Sequence, residues 1–411
     1  MKRSILTLSL LSALAVTSCQ RDFDEVTPQR EPQASETGST TTPARAFLST
    51  QGAEAGVLYF RIQRSAKSSL RAFDANGASM SSLPSQMAQS LRSIGTESLE
   101  PLFPIDPRFE ERMRREGLDL WYVVRFNKQQ DLQAAMQTLS TTPEIEYTEP
   151  VYEIARPTGK AVAVDAPRRS DAPAAPFDDP MLGDQWHYNN TGRFPRSVAG
   201  ADIGLFKAWE KETGKPNVIV AITDGGIDIT HPDLKDNLFV NQKELNGQEG
   251  VDDDGNGFID DINGFNFIHN NGKIYPDDES HGTHVAGTVA ARNNNGIGVA
   301  GIAGGDGTEG SGARLMSCQI FGGEREGGNS ANAIVYSANN GAVISQNSWG
   351  YIYKANITAI PQSQKAAIDY FIKYAGCDKD GNQLPNSPMK GGVVIFAAGN
   401  DGREYNSLPA A

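Results

Sequence analysis

The sequence predicts an α/β protein, a parallel sheet flanked by helices, preceded by a small α+β domain. Two observations predict the sheet. Residues 218–222, 343–344 and 393–398 are continuous apolar runs, as strands buried on both faces require. Helical segments lie between them, at 280–292, at 330–340 ended by Gly341, and at 365–375 ended by Gly376. Strands that alternate with helices imply parallel pairing. A third observation predicts the domain before the sheet. Residues 57–62 and 121–126 are strand-like, Leu132, Ala135, Met136 and Leu139 share one helical face, and a short strand follows around Ile145 and Tyr147.

The remaining chain divides by composition. Met1-Lys2-Arg3 and the apolar run 5–16 make residues 1–18 a signal peptide, too short to span a bilayer. The run ends in Val16-Thr17-Ser18-Cys19, which resembles a bacterial lipobox and implies cleavage before Cys19 and lipidation of its thiol. Asp22, Asp24 and Glu25 follow, as in surface-exported lipoproteins of Gram-negative bacteria. The expectation is a lipoprotein of the outer membrane in the bacterial cell envelope, surface-exposed or secreted, meeting the membrane only through its lipid anchor. Residues 19–50, rich in Thr, Pro, Ser and Glu, bury little apolar surface and form a disordered tether. The α+β domain takes 51–155. Residues 156–178 are a Pro-, Ala- and Asp-rich linker with the cleavage candidate Arg168-Arg169, and 179–411 hold the sheet. A net charge of −13, with acids gathered in loops, argues against a nucleic-acid partner and for bound cations. The sequence leaves open a disulfide between Cys318 and Cys377, although the apolar run around Cys318 suits a buried thiol.

In open parallel sheets, functional groups gather beyond the carboxyl ends of the strands. Asp224, Ser348 and Asn400 each fall just after a predicted strand. His281 opens the 280–292 helix behind Ser280, a good N-cap residue, where the positive end of the dipole favours a neutral ring. Gly282 and Gly287 are poor helix formers and suggest close approach of another backbone. Plainer readings stand beside this one. A histidine at a helix start is often a polar surface residue, and Asp and Asn favour turns. His281 and His284 could also serve a metallohydrolase, although no HExxH glutamate lies between them.

Three motifs decide among these readings. Thr223-Asp224-Gly225-Gly226-Ile227-Asp228, Ser280-His281-Gly282-Thr283-His284-Val285-Ala286-Gly287-Thr288 and Ala397-Ala398-Gly399-Asn400, in that order, resemble the subtilisin-like serine proteases (subtilases, the S8 peptidases). The resemblance implies a serine endopeptidase acting on proteins and peptides by an Asp-His-Ser mechanism. Asp224 would fix the imidazole tautomer, His281 would take the serine proton, and Asn400 would donate to the oxyanion. These roles are the known ones of that family, not deductions from spacing. Ser348-Trp349-Gly350 resembles one wall of the family's primary side-chain pocket and Gly327-Gly328 the facing segment, with Gly350 and Gly328 open to substrate backbone. Residues 51–155 resemble the propeptide that covers the enzyme and leaves its tail in the cleft as an intramolecular inhibitor. Two departures stand out. Gly225 occupies a place where the family usually has Ser or Thr, and no Gly-Thr-Ser-Met-Ala nucleophile motif occurs among the 411 residues. The expectation is a C-terminally incomplete piece of a longer protease; the alternative is a catalytically inactive, calcium-stabilised peptide-binding relative.

Calcium is the expected structural cofactor. Residues 252–263 follow the calcium-loop rule, with oxygens from Asp252, Asp254, Asn256 and Asp260 at positions 1, 3, 5 and 9, and Gly257 at position 6. Asn263 stands where the rule places a bidentate Glu. Asp233 also matches a family calcium ligand, and Gln185 and Asn294 are expected to join it.

Overall fold

The computed structural model describes residues 48–73, 83–155, 175–277, 280–322, 329–351 and 359–400. Cys19, Arg168, Arg169 and Gly328 lie outside the described residues.

The first region contains β1 (Ala53–Ile62), α1 (Ser85–Ser93), β2 (Thr96–Pro101), α2 (Glu110–Arg115), β3 (Trp121–Phe126), α3 (Leu132–Ser140), β4 (Ile145–Tyr152) and β5 (Ile154–Ala155). Strands β1–β4 form one antiparallel sheet in the order β2-β3-β1-β4. Alternation along the strands gives this sheet two apolar faces. Leu58, Phe60 and Ile62 of β1, with Tyr122 and Val124 of β3, pack on Met87 and Leu91 of α1 and Met136 and Leu139 of α3. Val57, Trp121 and Val123 point the other way and join the core of the second region. The predicted strands and α3 are present, and α3 starts where the Asp131 side chain accepts from Ala134 N (2.7 Å).

The second region runs through α4 (Leu205–Trp209), β6 (Ile219–Gly225), α5 (Gln242–Leu245), β7 (Gly264–Asn266), α6 (His281–Ala290), β8 (Arg314–Phe321), α7 (Ser330–Asn339), β9 (Ile344–Asn347), β10 (Gly350–Tyr351), α8 (Gln362–Tyr374) and β11 (Val393–Phe396). Five strands form a wholly parallel sheet in the order β11-β9-β6-β8-β7. Its strands are apolar on both sides because both sides are covered. Val220 and Ile222 meet Ala286 and Ala290 of α6. Ala221 of β6 and Met316, Cys318 and Ile320 of β8 share the opposite core with Ile334 and Val335 of α7. That same core takes in Val57, Trp121 and Val123, so α7 and α8 are sandwiched between the two sheets. Cys318 and Cys377 are separate buried thiols, and the disulfide left open by the sequence is not formed. Among the described residues, no helix is long and apolar enough to cross a membrane.

Candidate active site

Strand β6 delivers Asp224 to the carboxyl edge of the sheet, fully buried. Helix α6 begins with His281, whose Nδ1 lies 2.7 Å from Asp224 Oδ1. The same Oδ1 accepts from Gly225 N (2.7 Å), while Oδ2 accepts no hydrogen bond among the described residues. Burial pushes the Asp224 carboxyl up, the hydrogen bond and charge of His281 pull it down, and the charge of Asp277 adds to the rise. The imidazole is 28% exposed, so its outer edge is reachable from solvent. His284 is exposed, and no third ligand joins it and His281 in a metal-binding group among the described residues.

Close backbone approach places this pair. A Cβ on Gly282 would stand 1.9 Å from the carbonyl oxygen of Gly225, so only glycine lets α6 sit against the end of β6. The expectation for Gly287 is corrected, since a Cβ there would meet nothing within 4 Å. Ser280 is also corrected as the cap. It adopts φ 52° and its side chain makes no capping bond. Asp277, buried and four residues before the histidine, accepts from His281 N (3.0 Å) instead. Its Oδ2 occupies the space where a side chain at position 225 would begin, 1.8 Å from an ideal Cβ. This accounts for glycine where the family usually has Ser or Thr.

Ser348 follows β9 and Asn400 follows β11, so both reach the same edge as Asp224. Asn400 is exposed there. Trp349 is corrected: its indole is buried against Phe396 and Tyr351, with Nε1 donating to Asn347 Oδ1 (3.2 Å), so it is core and not a pocket wall. Gly350 pairs antiparallel with Ala155, and Tyr351 with Ile154. The tail of the first region therefore lies along β10 as an added strand. A Cβ on Gly350 would meet nothing within 4 Å, so the pairing itself does not require glycine.

The acidic loop gathers around a residue the sequence did not single out. Glu244 of α5 comes together with Asp252 and Asp254, their ligand oxygens all within 4.8 Å of one another. Glu244 also accepts from the backbone N–H of Asp253, Asp254 and Asp260, which folds the loop around it. Two expected ligands are engaged elsewhere. The Asn256 amide bonds Phe258 N and Asp261 Oδ2, and Asp260, at φ 55°, turns its carboxylate to Gly250 N. Burial, then the charges of Asp254 and Glu244, push Asp261 up to about 7. Arg108 of the first region lies 2.9 Å from Asp254 Oδ2.

Asp233, Gln185 and Asn294, expected at a second calcium site, all meet at the loop after α6. Asp233 accepts from Asn295 Nδ2 (2.8 Å) and Val299 N (3.0 Å). Gln185 brackets both backbone groups of Ala300 (2.8 and 2.9 Å). Asn294 Oδ1 accepts from Asp178 N (3.3 Å). Asp233 and Gln185 thus brace the loop after α6, and Asn294 ties that loop to Asp178.

A buried aspartate ending a central parallel strand and a histidine opening the adjacent helix, with a preceding α+β domain laid on the sheet's helices, define a subtilisin-like serine peptidase with its propeptide. Residues 215–411 match the model of the Subtilase family, and residues 65–192 match that of the N-terminal of Subtilase family. The chain belongs to the subtilase family. Subtilisin-like protease 1 of Plasmodium berghei is 35% identical over 171 residues, covering 41% of this chain and 27% of that protein. The thermophilic serine proteinase of Bacillus sp. (strain AK1) is 27% identical, covering 68% of this chain and 50% of its own length. The chain thus spans half or less of these relatives. Among solved structures, fervidolysin from Fervidobacterium pennivorans aligns with a TM-score of 0.49 and 19% identity, over 85% of this chain and 40% of that one.

Proposed function

We propose that these residues supply the aspartate, histidine and oxyanion donor of a serine endopeptidase made as a self-inhibited precursor. The observation that carries this is the 2.7 Å contact between Asp224 and His281 at the carboxyl edge of the sheet. With Nδ1–H held by a carboxylate, Nε2 is the basic nitrogen and takes a proton from a serine hydroxyl. In the family this chain resembles, that serine stands in a Gly-Thr-Ser-Met-Ala segment downstream of the asparagine. As the hydroxyl oxygen attacks a peptide carbonyl, Asp224 stabilises the imidazolium and Asn400 donates to the developing oxyanion. Ser348 and Gly350 line the edge where substrate lies extended, in the way Ile154–Ala155 lies on Gly350–Tyr351 in the precursor. The test is labelling by a fluorophosphonate probe of a polypeptide carrying residues 1–411 with that downstream segment. Labelling is expected after the prosegment is removed and is lost in His281→Ala. Labelling that survives this substitution refutes the proposal.

We also infer a structural calcium ion held by Glu244, Asp252 and Asp254. Arg108 already pairs with Asp254, and the remaining charge of three close carboxylates, offered by hard oxygen donors, suits calcium. The ion would fix the loop between the aspartate and histidine motifs and takes no part in proton transfer. Isothermal titration should detect calcium binding that weakens at least about tenfold in Glu244→Gln. Equal affinity in the variant would remove Glu244 from the site.

A further inference from the structure

Arg112 of α2 is fully buried between the prosegment and the peptidase. Among the described residues it forms no ion pair. Its guanidinium is surrounded by neutral acceptors of the peptidase. Nε donates to Tyr370 Oη (2.7 Å), Nη1 to the carbonyls of Cys377 (3.1 Å) and Asp378 (2.9 Å), and Nη2 to Asn339 Oδ1 (2.8 Å). The ring of Phe109 lies 3.6 Å from Cζ, and that of Tyr374 lies 5.3 Å away. Asn339 ends α7, and Cys377 and Asp378 follow the end of α8. Both helices therefore aim the negative ends of their dipoles at one cation.

We propose that the peptidase carries a guanidinium-specific socket at the carboxyl ends of α7 and α8, and that Arg112 filling it is a second hold that retains the prosegment after the linker is cut. This rests on the reading of the first region as an intramolecular inhibitor. An unpaired charge is costly to bury, and four charge-assisted hydrogen bonds, stacked rings and two helix dipoles are the compensation present. The acceptors are spread around a planar fork, which a lysine ammonium cannot reach from one point. A prosegment lacking arginine here would leave the Cys377 and Asp378 carbonyls without this donor, while Asn339 Oδ1 would keep Tyr370 Oη (2.8 Å), so the socket discriminates as well as binds. Its position also separates it from the cleft. The helices run antiparallel to the strands they connect, so their carboxyl ends lie at the sheet edge opposite Asp224. At the other pole of α8, Glu149 of the prosegment accepts from Gln362 N (2.7 Å) and Ser363 N (3.1 Å). The prosegment thus grips α8 with a carboxyl group at its positive end and a guanidinium at its negative end.

The test uses the full chain with a site-specific protease sequence placed within residues 156–174. After cutting, only non-covalent contacts hold the pieces, and prosegment release on dilution is timed by size-exclusion chromatography. Release should be about 100-fold faster in Arg112→Met and at least about tenfold faster in Arg112→Lys. In Arg112→Ala, added methylguanidinium should slow release again and methylammonium should not, a selectivity that loss of packing alone would not produce. Unchanged release in the Met and Lys variants overturns the socket while leaving the inhibitor reading intact. Immediate release from the unsubstituted cut chain overturns both. If the Arg112 variants lack near-ultraviolet circular dichroism, Tyr370→Phe decides: release at least about tenfold faster supports the socket, and unchanged release overturns it.

Discussion

Helices α6 and α8 both begin without a capping side chain of their own, and the carboxyl groups that cap them come from different places. At α6 the cap is Asp277, four residues upstream in the peptidase and touching the ground beneath the catalytic pair. At α8 the cap is Glu149, 213 residues before Gln362 and part of the prosegment. Their neighbour α7 has a local cap, with Asn329 accepting from Asn332 N (2.9 Å). The first arrangement makes the histidine's position a permanent property of the peptidase. The second makes the start of a core helix depend on a residue of the preceding region. If the first region is the removable prosegment proposed above, the peptidase loses the cap of α8 when that region leaves.

The sharpest way to test that difference is pH. Burial pushes the Glu149 carboxyl up to about 7 against the N–H donors of Ser363 and Gln362 that pull it down. The folded chain therefore holds this proton more tightly than the unfolded one. The resulting stability is fully present below about pH 4.5 and is lost as pH rises through 7, by roughly 3 kcal/mol at most. Asp261, also near 7, contributes a slope of the same sign, so the difference between variants is the readout. Urea unfolding of the full chain at pH 5 and pH 8 should show a clearly smaller pH difference in Glu149→Gln than in the unsubstituted chain. Asn329→Ala, which removes the local cap of α7, should cost about 1 kcal/mol equally at both values. An unchanged slope in Glu149→Gln would mean that the Glu149 carboxyl is not buried against the start of α8 in solution.

The same contrast explains what could be read from the sequence. Asp224, His281 and Asn400 sit in contiguous motifs next to strong strand or helix patterns, so their place at one sheet edge was legible. The predicted start of α8 at 365 was three residues late, because its first turn is fixed by Glu149 and no local cap marks it. Glu244 was missed for a related reason: the loop rule looks along residues 252–263, and the third carboxylate of the proposed site comes from α5. Trp349 was placed correctly beside a strand end but assigned to the wrong side. Burial alternates through Asn347, Ser348 and Trp349, and that period of two continues past β9 and turns the indole inward. Arg112 gave no signal at all, since a buried guanidinium and a surface one look alike until both partners are in place.

A smaller effect probes the permanent cap. If Asp277 holds α6 and fills the space beside position 225, then Gly225→Ser must displace it. The new Cβ would lie 1.8 Å from Asp277 Oδ2, a contact that only movement can relieve. The expected loss is about 2 kcal/mol of unfolding free energy from overpacking, against about 1 kcal/mol for Asp277→Ala, which removes only the cap. The two changes act on one space, so the double variant should lose clearly less than the two single losses combined. Denaturant unfolding of the four chains closes this cycle. Simple additivity would show that Asp277 does not occupy the space beside Gly225 in solution, and the glycine would then need another cause. Coupling would show that a residue four positions before the histidine and one position after the aspartate are a single packing unit beneath the catalytic pair.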